Sequence, residues 1–228
     1  PENIGGAGLK HLDFALVERE LGRGSMALTH FFGRPQNILM ACKDEQIEKY
    51  LLPAVRGDLM DALAMTEPDA GSDVRGMKCF AKSEGSDWII NGTKHFISGA
   101  EHADFIIVFI ATGEEKTERG PKKKITAFPV DRGTPGFVIR DGYHSVSHKG
   151  YKNMILEFDD CLLPKEQVLG EVDGGFEVMN TWLYATRLTV AAMSVGRARR
   201  CFDYALNYSA ERKQFGQQIG TSQGVSSQ

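Results

Sequence analysis

The stretch that decides how this chain is read is Ala64-Met65-Thr66-Glu67-Pro68-Asp69-Ala70-Gly71-Ser72-Asp73-Val74-Arg75-Gly76. Residues 63–66 read as the end of a buried strand, and Pro68 and Gly71 then turn the chain off the sheet. Thr66, Ser72 and the backbone N–H groups freed by the turn face whatever fills the corner. On these residues alone two readings stand. One is a ligand-binding corner; the other is a plain Asx/Gly turn between two strands.

Upstream, residues 9–60 are helical in pattern. Leu12, Ala15, Leu16, Glu20 and Leu21 fit an amphipathic segment closed by Gly22. Asp44 is expected to cap a second one running through Ile47, Tyr50 and Leu51 to Pro53 and Gly57. Gly22-Arg23-Gly24-Ser25-Met26-Ala27 matches a loose dinucleotide-binding fingerprint. That fingerprint needs a strand before it, and a helical segment stands there instead, so the run reads as a helix-helix turn.

Downstream the period changes to that of strands. Segments at 78–84, 88–90, 94–98, 105–111, 125–130, 137–140 and 154–158 are short, β-rich and separated by Gly, Pro, Asn or Asp. Asn91-Gly92 is the strongest short hairpin signal. From Gly174-Gly175 a helix is expected, with Phe176, Met179, Leu183, Val190, Ser194 and Ala198 as its apolar or small stripe to about Glu211. At 1.5 Å per residue it is a rod of about 50 Å, long enough to belong to a bundle. The expected fold class is α+β in three parts: an N-terminal helical domain (1–60), a middle antiparallel β barrel or sandwich (61–172) and the start of a C-terminal four-helix bundle (173–228).

The 228 residues carry a formal net charge of -3, which does not suit a nucleic-acid binder. Lys122-Lys123-Lys124 reads as a solvated loop. Cys42, Cys79, Cys161 and Cys201 are far apart with no CxxC pair, suggesting neither a zinc site nor a disulfide framework, and fitting a reducing compartment. His144 and His148 have helical spacing, but Gly142, Ser145, Ser147 and Gly150 around them read as a loop, so no metal is expected. No apolar run approaches the roughly 20 residues that span a bilayer, and no membrane association is expected. Neither end reads as a natural terminus, so targeting is not legible.

Against this order of elements, the opening stretch resembles the first signature of the acyl-CoA dehydrogenase family. Glu211-Arg212-Lys213-Gln214-Phe215-Gly216-Gln217-Gln218-Ile219, with Gln223, resembles the second. Residues 1–8 are similar to the family's "PxxxGGxG", residues 90–98 to "INGxKxWIT", and residues 158–164 to "FxDVxVP". The resemblance covers essentially the whole chain. It implies a helical domain, a β domain and a four-helix domain, with FAD between the last two and with family members longer at both ends.

The implied reaction removes two hydrogens from the α and β carbons of an acyl-CoA thioester, leaving a trans-2-enoyl-CoA, with electrons passed to an electron-transfer flavoprotein. The cofactor carries the redox chemistry; the protein positions it and polarises the thioester. By resemblance, Leu63, Ala64, Met65 and Thr66 line the flavin. Phe96 supplies an aromatic wall, Ile97 follows it, and Ser98 supplies the hydroxyl near N5. Gly71 lets the backbone come close, and Ser72 stands near both cofactor and acyl-CoA. Arg212 and Gln214 are placed at the FAD of a neighbouring subunit, implying a homodimer or homotetramer, and Gln223 is placed among the cofactor-binding residues. Arg187 matches an arginine that helps bind CoA, and Tyr184 stands where an acidic residue is common, leaving one substrate contact open. Thr186 stands where some subfamilies carry the catalytic glutamate, and a hydroxyl cannot serve as a base near neutral pH. The base is therefore expected beyond Gln228, and Glu67 and Asp73 read as framework of the turn. The implied compartment is the cytoplasm of a bacterium or the mitochondrial matrix of a eukaryote. An acyl-CoA oxidase, a flavoenzyme with a non-CoA substrate and a non-catalytic binding homologue are the alternatives on the same fold.

Overall fold

The computed structural model describes every residue except 26, 27, 30–34, 119, 147, 148, 151 and 228. The chain forms two compact units, Pro1–Gly8 with His30–Ala185, and Leu9–Thr29 with Thr186–Gln228.

The first unit is built on a curled, mixed sheet of strands β1 (Asp61–Ala64), β2 (Phe80–Glu84), β3 (Asp87–Ser98), β4 (Phe105–Thr117), β5 (Gly120–Asp131), β6 (Phe137–Tyr143) and β7 (Asn153–Pro164). Its order is β1-β4-β2-β3-β7-β6, with β5 paired to β4. Four pairings are antiparallel, as expected: β2 with β3, β3 with β7, β4 with β5 and β6 with β7. Two are parallel, which corrects the all-antiparallel expectation: β1 runs alongside β4, and β2 meets β4 at Phe80 and Ala111. The long excursion from Ala64 to Phe105 returns the chain in the direction of β1, which a short hairpin cannot do.

Alternation along β4 places Ile106, Val108 and Ile110 in one core with Trp88, Ile90, Phe128, Leu156 and Phe158. Phe105, Ile107 and Phe109 go to the other, against Ile38, Leu39, Tyr50, Leu51, Met77 and Met179. The helical segments over the second core are a 3₁₀ turn (Asn37–Ala41), a π turn (Ile47–Leu51) and α2 (Leu52–Arg56). The expected cap by Asp44 is replaced by main-chain bonds. Asp44 sits at φ 46, Gln46 N–H donates to Lys43 O, and Ile47 N–H donates to Asp44 O.

Asn91-Gly92 is not a turn. It lies inside β3, and the tight hairpin is at Gly85-Ser86, where Glu84 pairs with Asp87. The Asn91 amide instead clamps an extra residue on β7, with Nδ2 donating to Asp160 Oδ1 and Oδ1 accepting from Asp160 N–H, both at 2.9 Å. Gly92, at φ 134, lets β3 approach Cys79, where a Cβ would lie 2.4 Å from Sγ. The three lysines at 122–124 are also not a loop. They lie on β5, where Lys123 pairs with Glu114 and Lys124 with Asp173.

In the second unit, α1 (His11–Gly22) ends at Gly22 as expected, but Leu12 and Leu16 are exposed and Glu18 and Gly22 are its buried residues. Met26 and Ala27 of the glycine-rich run lie outside the described residues, as does His148. The long helix α3 (Gly175–Glu211) ends where the sequence placed its end. Its stripe holds through Met179 and Leu183 in the first unit. In the second unit Val190, Ser194 and Ala198 are exposed and Met193 and Gly196 are buried. Glycine explains the difference. A Cβ on Gly22 would lie 2.3 Å from Met193 O and one on Gly196 1.9 Å from Arg19 O, so α1 and α3 touch backbone to backbone. A short hairpin, β8 (Lys213–Gln214) with β9 (Gln217–Gln218), and α4 (Gln223–Ser226) follow. No helix is long and apolar enough to cross a membrane among the described residues.

Candidate functional site

The strand end at 63–66 is shorter than expected: β1 stops at Ala64, and Met65 and Thr66 lead into the corner. Leu63 and Met65 pack on the second core while Ala64 is buried in the first. Glu67 and Ala70 exchange both backbone bonds, at 2.8 and 3.3 Å, around Pro68-Asp69. Proline stands at the second position of this turn, where its fixed φ suits the bend.

What fixes the corner is a buried ion pair. Lys94 Nζ lies 2.7 Å from Glu67 Oε1, with both side chains almost wholly enclosed. Lys94 also donates to Met65 O at 3.1 Å, and the Glu67 carboxylate accepts the N–H groups of Lys78 and Cys79. Burial alone would raise the Glu67 pKa; the Lys94 charge and hydrogen bond and the N–H donors outweigh it and hold the carboxyl below its ordinary value. His95 N–H donates to Thr66 O at 2.9 Å, so β3 grips the corner at two successive residues. Glu67 is thus framework. Lys94 was not singled out from sequence, although it shares strand parity with the inward Trp88 and Ile90, and an inward lysine requires a buried acid.

The site residues on β3 follow at once. Between the pairs Lys94–Leu156 and Ile97–Met154 the register shifts, because β3 carries one residue more than β7. The bulge puts Phe96 at φ 57 and leaves its ring half exposed, whereas Ile97 turns into the core. Ser98 Oγ donates to Asn153 Oδ1 at 2.8 Å. Thr66 and Phe96 are therefore brought together on either side of the His95 link. Gly71 and Ser72 are exposed further along the corner; a Cβ on Gly71 would meet nothing within 4 Å, so this glycine borders open space. Among the described residues, neither the Thr66 nor the Ser72 hydroxyl has a hydrogen-bond partner. Arg75 closes the corner, donating to Lys123 O at 2.8 Å and lying over the Phe176 ring.

The other expected site residues lie on the C-terminal elements. Tyr184, in the first unit, is exposed on α3. In the second unit Arg187 is exposed, and Arg212, Gln214 and Gln223 all face solvent. Arg212 closes the hairpin, its N–H donating to Tyr208 O and its carbonyl accepting Ile219 N–H. Phe215, part of the second signature but given no role by the sequence, is fully exposed at the tip between them, at φ 51 beside Gly216 at φ 79. One acid has the perturbation expected of a base. Burial pushes the Asp61 carboxyl up to about 7, with Gln36 N–H opposing. It stands at the far end of β1, four residues or roughly 13 Å of strand from Met65, and so outside the corner.

Comparison with known proteins matches the chain to the acyl-CoA dehydrogenase N-terminal domain over residues 1–58, the middle domain over 62–161 and the C-terminal domain over 173–228. The caffeyl-CoA reductase-Etf complex subunit CarC of Acetobacterium woodii is 35% identical, covering 99% of this chain and 60% of that protein. Mitochondrial isovaleryl-CoA dehydrogenase of Pongo abelii is 34% identical, covering 96% of this chain and 53% of that one. Among solved structures, butyryl-CoA dehydrogenase from Megasphaera elsdenii superposes with a TM-score of 0.87 at 31% identity, covering 99% of this chain and 60% of its own. The chain thus spans a little over half the length of these relatives. With three consecutive domains matched in order and the fold shared, the chain belongs to the acyl-CoA dehydrogenase family.

Proposed function

We propose that the protein is an FAD-dependent acyl-CoA dehydrogenase that forms a trans-2-enoyl-CoA and passes electrons to an electron-transfer flavoprotein. The observation that carries this reading is the Thr66–Phe96 corner. An aromatic ring held half exposed at a positive φ costs about 1–2 kcal/mol in backbone strain, and such strain persists where a site uses it. Through the His95 link Thr66 follows, its hydroxyl without a partner among the described residues, and further along the corner Gly71 borders open space. A flat ring system with a polar edge fits that set. When bound, FAD supplies the two-electron redox chemistry.

In this reading the backbone and side chains of Leu63, Ala64, Met65 and Thr66 line the cofactor, with Phe96 as the wall and Ile97 as its anchor. Ser98 is the hydroxyl donor, which requires its hydrogen to turn from Asn153. Ser72 and Gly71 border cofactor and thioester, and Tyr184 and Arg187 bind substrate. Arg212 and Gln214 serve the FAD of a second copy in a homodimer or homotetramer, and Gln223 also binds the cofactor. The electron acceptor is supported by the Etf complex that the name of the Acetobacterium relative records. The domains are proposed at 1–60, 61–172 and 173–228.

The test uses the protein expressed from its natural gene. Its visible spectrum is recorded, then short, medium, long and branched acyl-CoAs are added without oxygen. One class is expected to bleach an oxidised-flavin spectrum, and sedimentation of the same sample is expected to give at least a dimer. A yellow protein that no acyl-CoA bleaches points to a non-CoA substrate or a binding role. A colourless protein that cannot be reconstituted with FAD overturns every flavin reading.

A further inference from the structure

The sheet carries a second bulge that the flavin reading does not use. Between the pairs Arg140–Ile155 and Tyr143–Asn153, β6 has one residue more than β7, just as β3 has between Lys94–Leu156 and Ile97–Met154. Both neighbours of β7 therefore swell at the same level, opposite Met154 and Ile155. Gly142 makes the second bulge possible, since a Cβ there would lie 2.1 Å from Asn153 O. The two bulges bring three rings together. Phe96 and Tyr143 stack with centroids 4.2 Å apart and planes 28° from parallel. His95 lies 4.3 Å from Phe96 and 5.8 Å from Tyr143, ring centre to ring centre. His95 Nδ1 and the Tyr143 hydroxyl are 3.2 Å apart.

This cluster sits at the surface: Phe96 is 50% and Tyr143 40% exposed. It is not a core, yet it is built from two register shifts, one residue at positive φ and a glycine that admits no side chain. Stacking on Tyr143 covers one face of the Phe96 ring and restricts its rotation; the hydrogen bond to His95 holds Tyr143 in turn. A half-exposed phenylalanine without such a neighbour samples several rotamers, and fixing one of them is a cost that a ligand otherwise meets on binding.

We propose that Tyr143 is a positioning residue for the candidate flavin site, acting through Phe96 by presetting the pose of that ring. The inference rests on the FAD reading above. Four variants of the full protein test it: Tyr143→Ala, Tyr143→Phe, Phe96→Ala and the double variant Phe96→Ala/Tyr143→Ala. The readouts are the FAD dissociation constant of the apoprotein and the visible circular dichroism of the bound flavin, neither of which depends on turnover.

Tyr143→Ala is expected to weaken FAD binding about three- to tenfold, the range of one aromatic pair, and to change the visible dichroism. Tyr143→Phe keeps the stack and is expected to stay within about twofold of the parent. Because Tyr143 acts through Phe96, the double variant is expected to match Phe96→Ala alone within about twofold. Unchanged FAD affinity and dichroism in Tyr143→Ala overturn the inference while leaving the flavin reading intact. Additive losses in the double variant overturn it as well, since they mean that Tyr143 meets the cofactor on its own. A parent protein that takes up no FAD overturns the reading and the inference together.

Discussion

At the scale of the residue, the corner depends on the Glu67–Lys94 pair. A buried ion pair is no more stabilising than a well-packed apolar pair of similar size, because both ions lose their water. Its value lies in what else the two groups hold: Lys94 bonds Met65 O, and Glu67 bonds the N–H groups of Lys78 and Cys79, just before β2. Removing one partner leaves a buried charge. Glu67→Gln and Lys94→Met are each expected to cost about 3–5 kcal/mol in urea unfolding at neutral pH, and together less than the sum. A loss under about 1 kcal/mol for either would contradict this account. The pH dependence has a definite sign. The Glu67 pKa is lowered in the folded state, so its contribution is present above the unfolded carboxylate pKa of about 4.3. It is lost as pH falls through the lowered value. Glu67→Gln is expected to flatten that acid limb.

At the scale of the element, glycines decide where strands and helices meet, and this is where the sequence was hardest to read. Asn91-Gly92 carries the composition of a tight turn, but Asn91 is spent on clamping Asp160 and Gly92 on admitting Cys79. Local composition cannot distinguish a glycine that turns the chain from one that lets another strand approach. The same ambiguity hid the close approaches of Gly22 to Met193 and of Gly196 to Arg19, because a stripe counted in apolar side chains skips residues that have none. By contrast the end of α3 at Glu211, the strand segments of the middle region and the turn at Pro68 were legible, since each follows from periodicity or from a proline. The corner was legible as a motif; the lysine that holds it and the paired bulges that aim Phe96 were not, because they depend on register between distant strands. The two kinds of glycine differ measurably. Gly85 lies at φ 56 with nothing within 4 Å of a Cβ, so Gly85→Ala is expected to cost about 1–2 kcal/mol of strain. Gly92→Ala adds a collision with Cys79 and is expected to cost roughly 1–3 kcal/mol more. Thermal melts that rank the two equally would refute the close-approach role.

At the scale of the molecule, the first half of β4 has no outside, although its residues 113–117 are exposed. Residues from Phe105 to Ile110 are buried, those on one side in one core and their neighbours in the other. Neither core can lose its wall without exposing the other, so within the first unit they form one cooperative block. In native-state hydrogen exchange the amides of residues 106–110 are expected to open together, at the free energy of unfolding the whole unit. Two separate classes of opening would show the cores to be independent. The corner at Thr66 is rooted in β1, which runs alongside β4 through four consecutive pairs. A cofactor leaving such a corner would leave behind formed walls and not melted ones, so the empty protein is expected to recapture its ligand at the pace of diffusion and desolvation, without waiting for a segment to refold.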